Sequence, residues 1–260
     1  MLGRPILMTM QTEDILDLKP PKADERIPYG TDPNQFVDLR RAKKSQQRAV
    51  AFIHGGYWRA KYDLMHASHL CEALRNAGWT TFNIEYRRVG NPGCAWPGTF
   101  SDLRAALQMI FSSAKKWEFA PDNLVVMGHS AGGQLALALA GHDQRIKKAV
   151  SLAGVLDLQR AYDLHLSNNA VVEFLGGTPA QMPDHYKEAS PTQLTIKAKQ
   201  LIVYGDKDDV VPPVISQQYV KLKQVKERVE PLVLPGAGHF ELIDPRTKEW
   251  KQIEAALNKI

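Results

Sequence analysis

The sequence predicts an α/β fold with a mostly parallel central sheet flanked by helices. Its length of 260 residues fits one α/β domain better than two. Short apolar runs rich in β-branched residues alternate with amphipathic segments of helical period along most of the chain. We therefore expect residues 1–260 to form a single domain around one large sheet.

The strands of this sheet are predicted from six short apolar runs. They cover residues 49–53, 80–86, 124–127, 148–152, 200–204 and 229–234. The first 48 residues contain Pro20, Pro21, Pro28 and Pro33 and lack this alternation. We expect them to form loops and antiparallel edge strands, one of them over residues 36–39.

Helices are predicted between these runs. The clearest pattern has apolar residues at helical spacing from Leu103 to Ala114. Residues 135–140 are apolar on every side, which indicates a central helix buried against the sheet. The last helix carries an apolar stripe through Trp250, Ile253 and Leu257.

Residues 155–191 interrupt the alternation of strands and helices. This segment contains Gly176, Gly177 and several prolines. We interpret it as a small cap inserted over the carboxyl edge of the sheet. Its aromatic residues are Tyr162, Phe174 and Tyr186, which the sequence leaves equally open as pocket lining or as cap core.

Composition and charge exclude several classes of function. The net charge is a modest +5, and the basic residues occur in short scattered clusters. Nucleic-acid binding would require a basic face with interleaved aromatic residues, and the sequence shows none. No stretch approaches the roughly 18 apolar residues of a membrane span, so we expect a cytoplasmic protein that does not bind membranes. With two cysteines, Cys71 and Cys94, no disulfide framework is expected.

A candidate nucleophile lies in the segment Gly128-His129-Ser130-Ala131-Gly132, which follows a predicted strand and precedes the buried helix. This context is typical of the G-x-S-x-G turn that presents a serine hydroxyl at the carboxyl edge of a sheet. The turn is so tight that its central residue is strained, and glycines on both sides avoid clashes.

A second glycine-containing loop, His54-Gly55-Gly56-Tyr57-Trp58, follows the strand predicted at residues 49–53. Acyl transfer places negative charge on a carbonyl oxygen, which backbone N–H groups must stabilise. We expect the N–H groups of Gly56 and Tyr57, together with that of Ala131, to form this oxyanion hole.

A nucleophilic serine needs a base and a carboxylate that orients the base, in the chain order serine, acid, histidine. His239 lies in a glycine-containing loop after the last predicted strand and is the candidate base. The acid is Asp206, Asp208 or Asp209, which all follow the strand at residues 200–204. Their spacing does not choose among the three.

The substrate pocket is expected beside these residues. Trp58, next to the oxyanion loop, and His129, next to the nucleophile, are the predicted substrate contacts. Tyr57 and Trp58, together with the three aromatic residues of the cap, predict a compact pocket with aromatic walls for a small or aryl acyl group. His66 and His69 are spaced as a helical pair but lack further ligands, so no metal site is predicted.

With these motifs in place, the chain resembles the α/β-hydrolase superfamily, in the branch of small carboxylesterases and kynurenine formamidases (arylformamidases). Kynurenine formamidases carry an H-G-G-x-W motif, which residues 54–58 match. Further similar features are the pair Tyr86-Arg87 after a strand and Ser190-Pro191 at the end of the cap. The resemblance covers nearly the whole chain.

The resemblance implies a serine hydrolase that cleaves esters or N-formyl arylamides such as N-formylkynurenine. Related esterases place the acid three residues after a glycine in a G-x-x-D-x-x-V-P pattern, which selects Asp208, with Asp209 as second choice. No cofactor or metal is implied. The expected partner is a small-molecule substrate, with a homodimer as a further possibility.

A different class of function is a non-catalytic binding protein on the same fold. Such proteins normally lose a triad member or block the pocket. This sequence keeps the serine, the histidine, the candidate acids and the oxyanion glycines. The sequence therefore favours an enzyme, and covalent labelling of Ser130 would discriminate the two.

Overall fold

An eight-stranded sheet organises the described part of the protein. The computed structural model describes residues 12–44 and 46–260. The strands are β1 (Glu25–Pro28), β2 (Phe36–Arg40), β3 (Ala49–Ile53), β4 (Thr80–Ile84), β5 (Leu124–His129), β6 (Lys148–Leu152), β7 (Lys199–Gly205) and β8 (Val229–Leu234).

The order of the strands across the sheet is β1-β2-β4-β3-β5-β6-β7-β8. β1 and β2 are antiparallel to each other, and β2 is antiparallel to β4. All further pairs, from β4 across to β8, are parallel. This arrangement confirms the predicted mostly parallel sheet with an antiparallel N-terminal edge.

Eight α-helices accompany these strands in the described residues. They are α1 (Ser68–Asn76), α2 (Gly98–Ser112), α3 (Ala131–His142), α4 (Leu158–Asp163), α5 (Ala170–Leu175), α6 (Pro183–Ala189), α7 (Val214–Lys223) and α8 (Glu249–Leu257). The predicted central helix corresponds to α3, in which residues 131–140 are all buried.

The helices cover both faces of the sheet because alternate strand residues point to opposite sides. Side chains such as Ala51 and Val126 pack with α2, α3 and α7 in one hydrophobic core. Their neighbours Phe52 and Val125 pack with α1 and α8 in a second core. Strands buried on both faces produce the continuous apolar runs seen in the sequence.

β4 ends two residues earlier than the sequence predicts. The backbone carbonyl of Glu85 accepts a hydrogen bond from the Tyr29 hydroxyl at 2.6 Å. The N–H of Tyr86 donates to the Glu85 carboxylate at 3.0 Å. The backbone therefore leaves the sheet after Ile84, and the side chain of Glu85 becomes available for other contacts.

Three short helices, α4 to α6, lie between β6 and β7 in the segment expected to be a cap. This segment contacts the loop after β3, because Arg59 pairs with Glu173 at 2.8 Å. The role of residues 155–191 as a cap and the single-domain organisation stay predictions.

None of the helices in the described part of the chain has both the length and the apolar character needed to cross a membrane.

Candidate active site

Ser130 lies at the tight turn between β5 and α3. Its backbone has φ 57° and ψ −123°, a combination that is strained for a residue with a side chain. The turn is held from both sides: the N–H of Ser130 donates to Leu152 at 2.8 Å, and its carbonyl accepts from Gly133 at 2.9 Å. These bonds maintain the strained conformation that presents the hydroxyl.

Two glycines of this turn are required by close backbone contacts. A Cβ on Gly128 would lie 2.1 Å from the carbonyl oxygen of Gly132. A Cβ on Gly132 would lie 2.0 Å from the carbonyl oxygen of Ile53. Any side chain at either position would separate α3 from the ends of β3 and β5.

The structure brings Asp208 to His239. The Nδ1 atom of His239 donates to Oδ2 of Asp208 at 2.7 Å. The other carboxylate oxygen accepts the N–H groups of Val210 at 2.9 Å and Val211 at 2.8 Å. Asp208 is therefore fixed in position, and its bond leaves Nε2 of His239 available to accept a proton.

The two alternative acids lie in other surroundings. Asp206 accepts the N–H of Gly236 at 2.7 Å and so connects the loops after β7 and β8. Asp209 is exposed to solvent. Of the three candidates left open by spacing, Asp208 is the one that contacts His239.

Ser130 and His239 line one cavity of about 390 Å³. Both side chains are nearly buried, with 3% and 4% of their surface exposed. The cavity lies where the carboxyl ends of β3, β5, β7 and β8 meet, since parallel strands end at the same edge. Three loops from distant parts of the sequence thus supply its reactive side chains.

The predicted oxyanion loop approaches Ser130 closely. A Cβ on Gly55 would lie 2.9 Å from Cβ of Ser130. Gly56 has φ +111°, a backbone conformation that favours glycine. Ala131 begins α3, so its N–H is one of those that have no acceptor within the helix. Gly56 and Tyr57 line the cavity with Ser130.

Tyr57 connects the oxyanion loop to the loop that carries the acid. Its hydroxyl donates to the carbonyl of Val210 at 2.6 Å. Burial raises the pKa of this hydroxyl, so it remains a protonated donor at neutral pH. The contact positions the two loops relative to each other.

A buried network behind the oxyanion loop was missed by the sequence analysis. Nε2 of His54 donates to the carboxylate of Glu85 at 3.1 Å, and its Nδ1 lies 2.8 Å from the carbonyl oxygen of Gly55. The ring also stacks on Tyr86, with 4.5 Å between centroids. Although burial opposes ionisation, His54 and Arg88 hold the pKa of Glu85 below its ordinary value.

This network fixes the backbone conformation at Gly55 beside the nucleophile. The signal available in the sequence was a lone carboxylate at the end of a predicted strand, which did not identify its partner. His54 and Glu85 lie 31 positions apart in the sequence, and the pairing of β3 with β4 brings them together.

His129 supports the base. Its Nε2 donates to the backbone carbonyl of His239 at 3.0 Å, and the two ring centroids are 4.4 Å apart. His129 also lines the cavity, and its contact with substrate stays a prediction. Burial, followed by the nearby His239, lowers the pKa of His129 well below its ordinary value of 6.5. The ring is therefore neutral at physiological pH.

Because His129 is buried as a neutral ring, we expect the free energy of unfolding to fall in acid. Below pH 6.5 the unfolded chain binds a proton at His129 that the folded chain does not, so acidification favours unfolding. From this residue alone, the free energy of unfolding falls by about 1.4 kcal/mol for each pH unit below 6.5. We expect H129Q to show a shallower pH dependence in urea unfolding between pH 7.5 and 5.

The control for this prediction is H165Q, which changes an exposed histidine in the loop after α4. Its unfolding free energies should run parallel to those of the wild type. If the curve of H129Q also runs parallel to the wild type, His129 does not resist protonation in the folded protein.

Trp58 lies away from the cavity. It is 1% exposed and stacks on Phe174, with 4.7 Å between centroids. Its indole N–H donates to the side chain of Gln134 at 2.9 Å, and Gln134 in turn donates to the carbonyl of Ala189 at 2.7 Å. Trp58 therefore fastens the oxyanion loop to α3 and to the end of α6, and a direct substrate contact stays a prediction.

The three cap aromatics are also absent from the described lining of the cavity. Phe174 is fully buried and Tyr186 is 5% exposed, both within the hydrophobic core, and Tyr162 packs against that core. The aromatic lining is supplied instead by Tyr57, Tyr62 and Phe240. The expected aromatic walls are thus present, although most of their residues come from other loops.

We expect W58F to lower stability without altering acyl preference. Phenylalanine keeps the stacking on Phe174 but leaves the buried oxygen of Gln134 without its donor, which costs about 1–3 kcal/mol. Urea unfolding measures this loss. The relative kcat/KM for p-nitrophenyl acetate and butyrate should stay within about twofold of the wild type.

The matched control is W117F. Trp117 is 5% exposed, and its indole nitrogen has no hydrogen-bond partner among the described residues. The same change in volume without a lost hydrogen bond should cost less. A large change in acyl preference of W58F with unchanged stability would instead place Trp58 against the substrate.

Further cavity residues were not singled out by the sequence analysis: Leu16, Arg59, Lys61, Tyr62, Ser167, Val210 and Phe240. His66, considered there only as part of a metal pair with His69, lines the cavity as well. Burial lowers the pKa of His66 to about 3, so this ring is neutral at pH 7. The described residues contain no cluster of three or more side chains suited to hold a metal ion.

Comparisons with known proteins agree with this architecture. The sequence matches the family described as BD-FAE over residues 37–223. A probable carboxylic ester hydrolase, LipM of Mycobacterium tuberculosis, is 30% identical over 215 residues, covering 74% of this chain and 49% of LipM. The kynurenine formamidase of Meyerozyma guilliermondii is 27% identical over 116 residues, covering 45% of this chain and 42% of that protein.

The structural comparison confirms the fold. A truncated carbohydrate esterase from gut microbiota superposes with a TM-score of 0.76 at 21% identity, covering 93% of this chain and 99% of the other. This likeness and the strand order confirm the predicted α/β-hydrolase fold. The chain spans about half the length of the curated relatives that it matches.

Proposed function

Because the chain belongs to the BD-FAE family, we propose that it is a serine hydrolase that cleaves small or aryl carboxylic esters. The observation that supports this most is that His239, which bonds to Asp208 at 2.7 Å, lines the same cavity as the strained Ser130. This combination of nucleophile, base and orienting acid is the one that acyl transfer requires.

In the proposed reaction, Ser130 attacks the carbonyl carbon of the ester while Nε2 of His239 takes the hydroxyl proton. Asp208 keeps the proton of His239 on Nδ1 and stabilises the imidazolium that forms. The tetrahedral intermediate collapses as His239 protonates the leaving alcohol, which leaves an acyl group on Ser130. Water, activated by His239, then hydrolyses the acyl-enzyme and restores the serine.

We assign the stabilisation of the oxyanion in each intermediate to the N–H groups of Gly56, Tyr57 and Ala131. The close approach of Gly55 to Ser130 supports this assignment. Donors that are already oriented contribute about 10²- to 10³-fold in rate each, since they need no reorganisation during the reaction. The His54–Glu85 network supports that orientation from behind.

The cavity favours small substrates. Its volume of about 390 Å³ is near the lower end of the range for small-molecule sites, about 300 to 1,000 Å³. Tyr57, Tyr62 and Phe240 provide apolar surface for an acyl or aryl group. A long-chain lipid would need a larger apolar channel than these residues enclose.

A second candidate reaction is the hydrolysis of N-formyl arylamides such as N-formylkynurenine. The H-G-G-Y-W segment at residues 54–58 and the similarity to a kynurenine formamidase support it. The same groups would serve both reactions, with His239 protonating an arylamine in place of an alcohol. The predicted cytoplasmic location and the possible homodimer stay predictions.

The test compares kcat/KM for p-nitrophenyl acetate and butyrate with that for N-formylkynurenine, with S130A as the control. Turnover of the esters that S130A lacks supports the proposed ester hydrolase. An advantage of several orders of magnitude for N-formylkynurenine would make the protein an arylformamidase. If neither kind of substrate shows turnover that depends on Ser130, the hydrolase proposal fails and the non-catalytic binding protein takes its place.

A further inference from the structure

The lining of the catalytic cavity is cationic. Arg59 and Lys61 both line it, and none of the described lining residues is acidic. Burial holds the pKa of His66 and of His129 far below neutrality, so these two rings add no charge at pH 7. The permanent positive charges of the lining are those of the two residues that follow the oxyanion loop.

Arg59 is already neutralised. Its guanidinium donates to both carboxylate oxygens of Glu173, at 2.8 and 2.9 Å. It also donates to the hydroxyl and the carbonyl of Ser167, at 3.0 and 2.9 Å. With these four bonds Arg59 connects the oxyanion loop to the segment between β6 and β7, and it has little capacity for a ligand.

Lys61, unlike Arg59, has no carboxylate partner among the described residues. It is exposed to solvent. Its Nζ lies 5.3 Å from the centroid of the Tyr62 ring. Tyr62 packs against the oxyanion loop, since a Cβ on Gly56 would lie 2.5 Å from Cβ of Tyr62. An unpaired cation thus lies on the aromatic wall next to the oxyanion loop.

We propose that the preferred substrates of this site carry a carboxylate at a distance from the scissile ester bond, and that Lys61 binds this carboxylate. The inference rests on the proposed ester hydrolysis and names the class of ester. The Tyr62 ring packs against the apolar part of the substrate, while Lys61 neutralises its charged end. The anion can belong to the acyl half or to the alcohol half of the ester.

Lys61 acts on binding more than on chemistry. It contacts a part of the substrate that does not change charge in the reaction, so the ground state and the transition state gain equally. Removal of its charge should therefore raise KM and leave kcat nearly unchanged. Because Lys61 is exposed, the effect is about two- to fivefold and is weakened by salt.

Two matched substrate pairs test the proposal. Mono-p-nitrophenyl adipate and p-nitrophenyl hexanoate differ in charge on the acyl side. 4-Acetoxybenzoate and 4-acetoxybenzamide differ in charge on the alcohol side. For each pair, the ratio of kcat/KM for the anionic to the neutral member is compared between wild type and K61Q, because this ratio cancels the intrinsic reactivity of the esters.

The control variant is K115Q, which removes the same charge from an exposed lysine after α2 that does not line the cavity. We expect K61Q to lower the ratio about two- to fivefold for at least one pair, through KM. K115Q should leave both ratios unchanged, and added NaCl should reduce the wild-type ratio toward that of K61Q. The affected pair identifies the half of the substrate that carries the anion.

Equal ratios for wild type and K61Q in both pairs would overturn the inference. Hydrolysis of the neutral esters separates this outcome from a failure of the proposed function. If wild type and K61Q hydrolyse the neutral esters and the ratios do not differ, only the role of Lys61 is wrong. If wild type hydrolyses no member of either pair in a Ser130-dependent way, both the ester hydrolysis and the role of Lys61 are overturned.

Discussion

S130A is expected to lower kcat/KM for p-nitrophenyl acetate by at least about 10⁴-fold. The variant loses the oxygen that forms the acyl bond, while the oxyanion donors and the His239–Asp208 pair remain. Stability should change little, because Ser130 is held by its backbone bonds to Leu152 and Gly133. Steady-state kinetics and urea unfolding on the same preparations measure both effects.

The control for this expectation is S101A, at an exposed position on α2. It makes the same atomic change away from the cavity and should keep wild-type activity. If S130A, correctly folded, retained more than about one per cent of wild-type turnover, Ser130 would not be the nucleophile.

The second large effect is expected at the acid. D208N should lower kcat by about 10³- to 10⁴-fold, because an amide accepts a bond in place of the carboxylate but does not stabilise the imidazolium of His239. The neighbouring D209N is the matched control, since Asp209 is exposed and has no contact with His239. We expect D209N to stay within about threefold of the wild type.

The comparison of D208N with D209N also tests the assignment that sequence spacing left open. A large loss in D209N together with near wild-type activity in D208N would move the acid to Asp209. Comparable small losses in both variants would mean that His239 does not depend on a carboxylate partner.

Much of the fold was predictable because the parallel strands are buried on both faces. Such strands form continuous apolar runs, and β3 and β6 begin and end where the sequence predicts. The edge strand β8 also has its predicted bounds, although three of its six residues are exposed. The end of β4 was placed two residues too late because side-chain bonds of Tyr29 and Glu85, and not apolar character, determine where the backbone leaves the sheet.

The site was predictable where one local motif determines the geometry. The turn around Ser130 is an example, since its glycines and its strain lie within five residues of sequence. Contacts between distant residues carry no such local signal. The bond of Trp58 to Gln134 joins residues 76 positions apart, and it directs the indole into the core where the sequence suggested a pocket wall.

The lack of a local signal for contacts between distant residues also explains why the aromatic walls of the pocket were assigned to other residues. Phe174 and Tyr186 were open to either interpretation, because a short segment rich in glycine and proline does not reveal which side of it faces the sheet. The structure places both in the core, while Tyr62 and Phe240 line the cavity.

The most direct test of the account is covalent labelling with a fluorophosphonate. Ser130 is the one hydroxyl-bearing residue in the tryptic peptide of residues 117–145, so a label on this peptide identifies the attacking atom. The account predicts stoichiometric labelling of that peptide in the wild type, slow labelling in D208N and none in S130A. An unlabelled wild-type peptide, or a label that persists elsewhere in S130A with equal stoichiometry, would contradict the assignment of Ser130 as the nucleophile.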